Sequence, residues 1–143
     1  MRIAIINGPN LAQVGTREPL IYGSTPLPRY LEELRRAFAP QGVEITPLFS
    51  NGEGEVIDAL WSANQNSHGI ILNAGAYTHT SLAIADCLRA LQVPVIEVHI
   101  SNIFAREEIR RTSLTAPYCC GVISGLGVEG YRYALHALLD RLQ

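Results

Sequence analysis

Short β-branched runs alternate along this chain with stretches of helical period. Arg2–Ile6 reads as a strand, closed by the turn Asn7-Gly8-Pro9-Asn10. Residues 11–26 show no period and carry Gly15, Pro19, Gly23 and Pro26; so long an unpatterned stretch is uncommon in a compact domain and points to a functional loop. Residues 28–39 repeat at helical spacing through Tyr30, Leu31, Leu34 and Phe38, with Pro28 near the first turn. Val43–Phe49 reads as the second strand, and Gly54–Ser67 as a helix with the seam Val56, Ile57, Leu60 and Trp61. Gly69–Leu72 is a continuous apolar run, the mark of a strand buried on both faces. Leu82–Leu91 reads as a helix starting near Thr80 and stopped by Pro94, followed by strands at Val95–Val98 and Gly121–Ser124. The last helix has the cleanest period, with Tyr131, Ala134, Leu135, Leu138, Leu139 and Leu142 on one face.

Five short strands separated by helices predict an α/β protein: a three-layer, flavodoxin-like fold with a five-stranded parallel sheet in the order 2-1-3-4-5. Ligands then bind beyond the carboxyl ends of the strands, at the switch point between strands 1 and 3. That geometry brings Asn7–Asn10 and Asn73–Gly75 together. The 143 residues are expected to form one domain, 1–143, with no linker or repeat.

Composition narrows the function. A net charge of −2 argues against generic nucleic-acid binding, and apolar runs of four or five residues are too short to span a membrane. Met1-Arg2 runs straight into the first strand, so no signal peptide is expected, and Cys87, Cys119 and Cys120 lack metal spacing. A cytoplasmic protein with reduced thiols and no metal is the expectation. All 11 basic residues are arginine, so no lysine side chain can form a Schiff base with a carbonyl substrate.

Several groups carry candidate chemistry. Glu97 and His99 stand two apart at a strand end and so share a face; a carboxylate there fixes the imidazole tautomer and favours its protonated form, as a general acid needs. Arg17 and Tyr22 share the long first loop. An ordinary phenol is ionised in roughly one molecule per thousand at pH 7, whereas a cation within ~4–6 Å favours the phenolate and would create a base. The run Ala76-Tyr77-Thr78-His79-Thr80-Ser81 brings hydroxyls and an imidazole to a helix start beside Asn73. Capping by Thr80 or Thr78 accounts for only part of it. Asp86 could simply pair with Arg89, and Arg106–Arg111 reads as a charged helix in which Glu107 pairs with Arg111, leaving one arginine for an anionic ligand. Gly125-x-Gly127-x-x-Gly130 matches a dinucleotide fingerprint, but the chain ends too soon after it for the second strand and ribose-binding acid. A close-packed turn before the last helix is the better reading.

Taken together, these residues resemble the type II 3-dehydroquinate dehydratases over essentially the whole length. The resemblance rests on Ile6-Asn7-Gly8-Pro9-Asn10-Leu11, Gly15-x-Arg17-Glu18-Pro19-x-x-Tyr22-Gly23 and Ser50-Asn51-x-Glu53-Gly54-Glu55. It continues through Asn73-Ala74-Gly75-Ala76-Tyr77-Thr78-His79-Thr80-Ser81, Ile96-Glu97-Val98-His99-Ile100-Ser101-Asn102 and Arg106-Glu107-Glu108. It implies a cofactor-free anti elimination of water from 3-dehydroquinate to 3-dehydroshikimate, in the shikimate pathway or in quinate breakdown, by a dodecamer of four trimers. Tyr22 would be the base, with Arg17 favouring its phenolate. Asn10 would stabilise the enolate through a water, and His99, oriented by Glu97, would protonate the departing hydroxyl. Asn73, His79 and Arg110 would hold substrate hydroxyls, the N–H groups of Ile100 and Ser101 the carboxylate, and Asp86 would reach a neighbouring subunit's site.

The chain departs from the family pattern at Ala12, Leu48-Phe49, Trp61, Phe104, Thr112 and Leu114, near expected loops and subunit contacts. A non-catalytic ligand-binding relative on the same fold is the alternative. A flavin module is disfavoured because no phosphate loop follows the first strand.

Overall fold

Alternation along each strand decides which helix covers it, and the computed structural model, which describes residues 1–143, shows that division clearly. The strands are β1 (Arg2–Asn7), β2 (Glu44–Phe49), β3 (Gly69–Asn73), β4 (Val95–His99) and β5 (Gly121–Ser124). All pairings are parallel and the order is β2-β1-β3-β4-β5. The helices are α1 (Pro19–Tyr22), α2 (Leu27–Phe38), α3 (Glu53–Asn66), α4 (Leu82–Ala90) and α5 (Glu129–Leu142). None is long and apolar enough to cross a membrane.

Ile3, Ile5, Ile71, Ile96 and Val98 point to one face and pack under α2 and α5. Their neighbours Ala4, Ile6, Ile70, Leu72 and Val95 point to the other, under α3 and α4. Helix α2 presents Leu27, Tyr30, Leu31, Leu34 and Phe38 to the first layer, as its period predicts. Each fully buried leucine contributes about 1.5–3 kcal/mol of transfer free energy. Gly42, at a φ of 78°, ends the short 3-10 turn that follows α2 and turns the chain into β2.

Three local expectations change. The first loop is not structureless: it holds a 3-10 turn at Leu11–Gln13 and the one-turn helix α1, whose Pro19 sits in the first turn. Helix α4 is capped by Ser81, whose Oγ accepts from the Ile84 N–H at 2.9 Å, while Thr78 is buried against Thr115. The arginine-rich run forms only a 3-10 turn, Glu108–Arg111. Three residues per turn stack positions three apart, so Glu107 pairs with Arg110 and not with Arg111.

Candidate active site

Parallel strands all point their carboxyl ends the same way, and the chain order reverses between β1 and β3. A cleft of about 100 Å³ opens there. Asn10 and Arg17 line it from the segment after β1, with Tyr22 from α1. Asn73 and His79 come from the end of β3 and the 3-10 turn beyond it, and His99, Ile100, Ser101, Arg106 and Arg110 from the end of β4 and its connection.

The Glu97–His99 side is set by strand period. Glu97 is fully buried and accepts from His99 Nε2 on Oε2 at 2.8 Å. Ser113 Oγ also donates to Oε2 at 2.9 Å, and Thr115 Oγ1 donates to Oε1. Burial by itself pushes this carboxyl up, but the His99, Thr115 and Ser113 hydrogen bonds outweigh it and hold Glu97 below its ordinary value. The group is therefore a carboxylate at neutral pH. With Nε2 committed to it, His99 turns Nδ1 to its remaining surroundings.

The other side is set by charge. The Arg17 guanidinium lies 4.4 Å from the centroid of the Tyr22 ring, and Arg106 lies 5.3 Å from the same centroid. Arg106 Nη1 also donates to the Tyr22 hydroxyl at 3.0 Å and to Ser101 Oγ at 3.3 Å. Two cations therefore face one phenol, one over its ring and one hydrogen-bonded to its oxygen. The ring is 9% exposed, so these contacts lie largely out of water.

Polar groups for a hydroxylated ligand line the remaining wall. His79 Nδ1 donates to the Thr112 carbonyl at 2.8 Å, which leaves Nε2 as an acceptor in the neutral ring. Its ring stacks on His99 with centroids 6.3 Å apart. The carbonyls of His99 and Ile100 accept from Gly125 and Gly127, whereas no turn or loop hydrogen bond uses the N–H of Ile100 or Ser101. Two adjacent amides left in this way suit an anion.

Ten of the eleven residues expected from the sequence thus converge: nine line the cleft, and Glu97 backs it. Asp86 does not. It is exposed on α4, makes no ion pair with Arg89, and Arg89 lies instead over the Tyr118 ring at 5.6 Å. Sequence reasoning passed over Arg106, Ser113 and Thr115. An arginine run signals charge without saying which member turns inward, and hydroxyls at alternate positions of a loop carry no period to read. The departures at Ala12, Trp61, Phe104 and Thr112 all lie on the surface. Thr112 serves the site through its carbonyl, which any residue at that position supplies.

Fold and cleft together define a flavodoxin-like α/β protein with a carboxylate-backed imidazole and an arginine-flanked phenol in one pocket. The profile of the family described as Dehydroquinase class II matches residues 1–139. A 3-dehydroquinate dehydratase of Exiguobacterium sp. (strain ATCC BAA-1283 / AT1b) is 51% identical over 140 residues, covering 98% of this chain and 95% of that one. That of Lachnoclostridium phytofermentans is 48% identical over 98% of this chain and 97% of its own. The crystal structure of type II dehydroquinase from Butyrivibrio crossotus DSM 2876 superposes with a TM-score of 0.94 at 42% identity, covering 97% of each chain. This chain belongs to the class II dehydroquinase family.

Proposed function

We propose that this protein is a 3-dehydroquinate dehydratase that eliminates water through an enolate, without imine, metal or organic cofactor. The observation that carries the reading is the placement of Tyr22, under two guanidinium groups, in the same cleft as a His99 backed by a buried carboxylate. The Tyr22 phenolate takes the proton from the carbon next to the ketone. The electrons move onto the carbonyl oxygen, where Asn10 stabilises the enolate through a water. The enolate then collapses, the carbon–oxygen bond to the leaving hydroxyl breaks, and His99 gives that oxygen its proton. Water leaves and a conjugated enone remains. Base and acid are separate residues, so neither has to exchange its proton within the turnover.

Asn73, His79 and Arg110 hold the ring hydroxyls, and the N–H groups of Ile100 and Ser101 hold the carboxylate. Tethering the substrate at both ends lines up the reacting atoms. The reading takes residues 1–143 as one catalytic domain working in the shikimate pathway or in quinate breakdown. Three unpaired cysteines support a reducing, cytoplasmic setting.

Assembly is part of the proposal. Asp86, exposed and outside its own cleft, completes the site of a neighbouring subunit in a dodecamer of four trimers. Activity that holds on dilution to separated monomers would overturn that role. The reaction itself is tested by ultraviolet absorbance, which rises as the enone forms from 3-dehydroquinate; a folded protein giving no rise would refute the function.

A further inference from the structure

The glycine-rich turn after β5, which matches a dinucleotide fingerprint, leads directly into Tyr131. Gly130 is buried, and a Cβ on it would meet Val98 Cγ1 and Ile123 Cγ2, each at 3.4 Å. The first turn of α5 thus lies close on β4 and β5, and it brings the next residue over the middle of the sheet. Tyr131 is fully buried there.

Strand parity supplies what it meets. Asn7 and Asn73 continue the rows of Ile3 and Ile5 and of Ile71, so both turn to the α5 face, and they stand opposite each other in the β1–β3 register. The Tyr131 hydroxyl donates to Asn7 Oδ1 at 2.6 Å and accepts from Asn73 Nδ2 at 2.9 Å. Asn7 Nδ2 donates to the Leu48 carbonyl at 3.1 Å, and the Gly75 N–H donates to Asn73 Oδ1 at 3.1 Å.

Both ends of this chain are backbone groups with fixed roles: a carbonyl can only accept and an amide N–H can only donate. Each asparagine amide therefore has one orientation, and the phenol between them has one direction of donation. Reversing any member would set donor against donor or acceptor against acceptor in the dry interior. Burial also pushes the Tyr131 phenol well above its ordinary value, so it stays neutral and keeps both roles. One of the two Nδ2 protons of Asn73 is committed to Tyr131, and the other remains for the cleft that Asn73 lines.

We propose that Tyr131 is a positioning residue that fixes the Asn73 amide with an N–H toward the cleft, where it donates to a hydroxyl of the substrate. This rests on the proposed reaction for the identity of the ligand, but the relay itself does not. Tyr131→Phe keeps the ring and removes only the hydroxyl. Because Asn73 holds substrate in ground and transition states alike, KM for 3-dehydroquinate should rise about three- to tenfold with kcat little changed, the effect of one neutral hydrogen bond.

Asn73→Ala should raise KM at least as much, and adding Tyr131→Phe to it should raise KM no further. Leu135→Ala, which loosens the same helix, should lower Tm and leave KM unchanged. An unaltered KM in Tyr131→Phe, or effects that multiply in the double variant, would overturn the proposal. A direct readout needs neither turnover nor a folded variant. In ¹⁵N-labelled wild type, the Asn73 side-chain amide should exchange its relay proton far more slowly than an exposed asparagine, and exchange at the exposed rate would refute the relay. If wild type leaves 3-dehydroquinate unchanged, the proposed function falls while the amide measurement still decides the relay.

Discussion

His99 reaches the cleft as the last residue of a central strand, whereas Tyr22 reaches it at the end of a one-turn helix inside a long connection. The first is held by its register pair with Ser124 of β5 and by a carboxylate with three hydrogen-bond donors. The second is held by two guanidinium groups, in a loop where Glu18 adopts a φ of 40° and Gly15 a φ of 103°. A side chain on Gly15 would meet Pro26 backbone atoms at 2.8 Å, so the loop's path depends on that glycine. The proposed proton donor is fixed at the end of a strand, and the proposed base stands in a loop between two cations. The acid side should respond to changes in buried hydrogen bonding, and the base side to changes in local charge.

The largest break in that contrast is Tyr22→Phe. It removes the proposed base while keeping the ring beneath both arginines, so turnover should fall by about 10²–10⁴-fold with Tm nearly unchanged. Enone absorbance measures the first and thermal denaturation the second. Near-normal turnover would place the base outside the loop.

Glu97→Gln tests the other side and should lower turnover about 10²-fold, because the imidazole loses the charged partner that orients it. It should also change acid stability. The folded Glu97 carboxyl titrates below its ordinary value near 4.5. The stability it contributes is therefore complete above about that pH and is lost as pH falls through the lower folded value. The stability gap between wild type and Glu97→Gln should accordingly narrow below pH 4.5. Denaturant titrations at a series of pH values check this, and a constant gap would mean that the carboxyl is not held ionised by the fold.

Arg106→Ala and Arg17→Ala sharpen the base side. Each removes one of two cations from the phenol, and Arg106 also removes a charge-assisted hydrogen bond of about 1.5–3 kcal/mol, or roughly 10- to 100-fold. Arg106→Ala should therefore cost turnover at least as much as Arg17→Ala. Rates measured on both variants at equal substrate saturation decide it. An unaffected Arg106→Ala would leave Arg17 as the sole charge partner.

The same division explains what could be read before folding. The two helix layers and the Glu97–His99 pair follow from period, because a spacing of two puts residues on one face wherever the strand lies. The strand order rests instead on the alternation of strands with helices in a chain of this size. Arg106 was not singled out, since a 3-10 turn in a charged run has no apolar period to fix which arginine turns inward. Ser113 and Thr115 were invisible for a similar reason: they reach Glu97 from a loop, and only the folded path of that loop brings them there. Tyr131 stood in the last helix's apolar stripe as one more core residue. Its hydroxyl acquires a role only once β1 and β3 place two asparagines side by side beneath it.

The smallest effect belongs to the tip of the base-side loop. Leu20 is 103% exposed and Ile21 is 41% exposed, although both lie next to the buried Tyr22. Leu20 contributes nothing to the core, so Leu20→Ser should change unfolding free energy by no more than about 0.5 kcal/mol. By contrast, Leu31→Ala, at a fully buried position of α2, should cost about 2–5 kcal/mol through lost burial and the cavity left behind. Equilibrium denaturation of the two variants under one condition makes the comparison. A loss above about 1 kcal/mol in Leu20→Ser would be too large for an exposed side chain. It would mean that the tip is packed against another surface in solution, and the base would then be held by more than its two arginines.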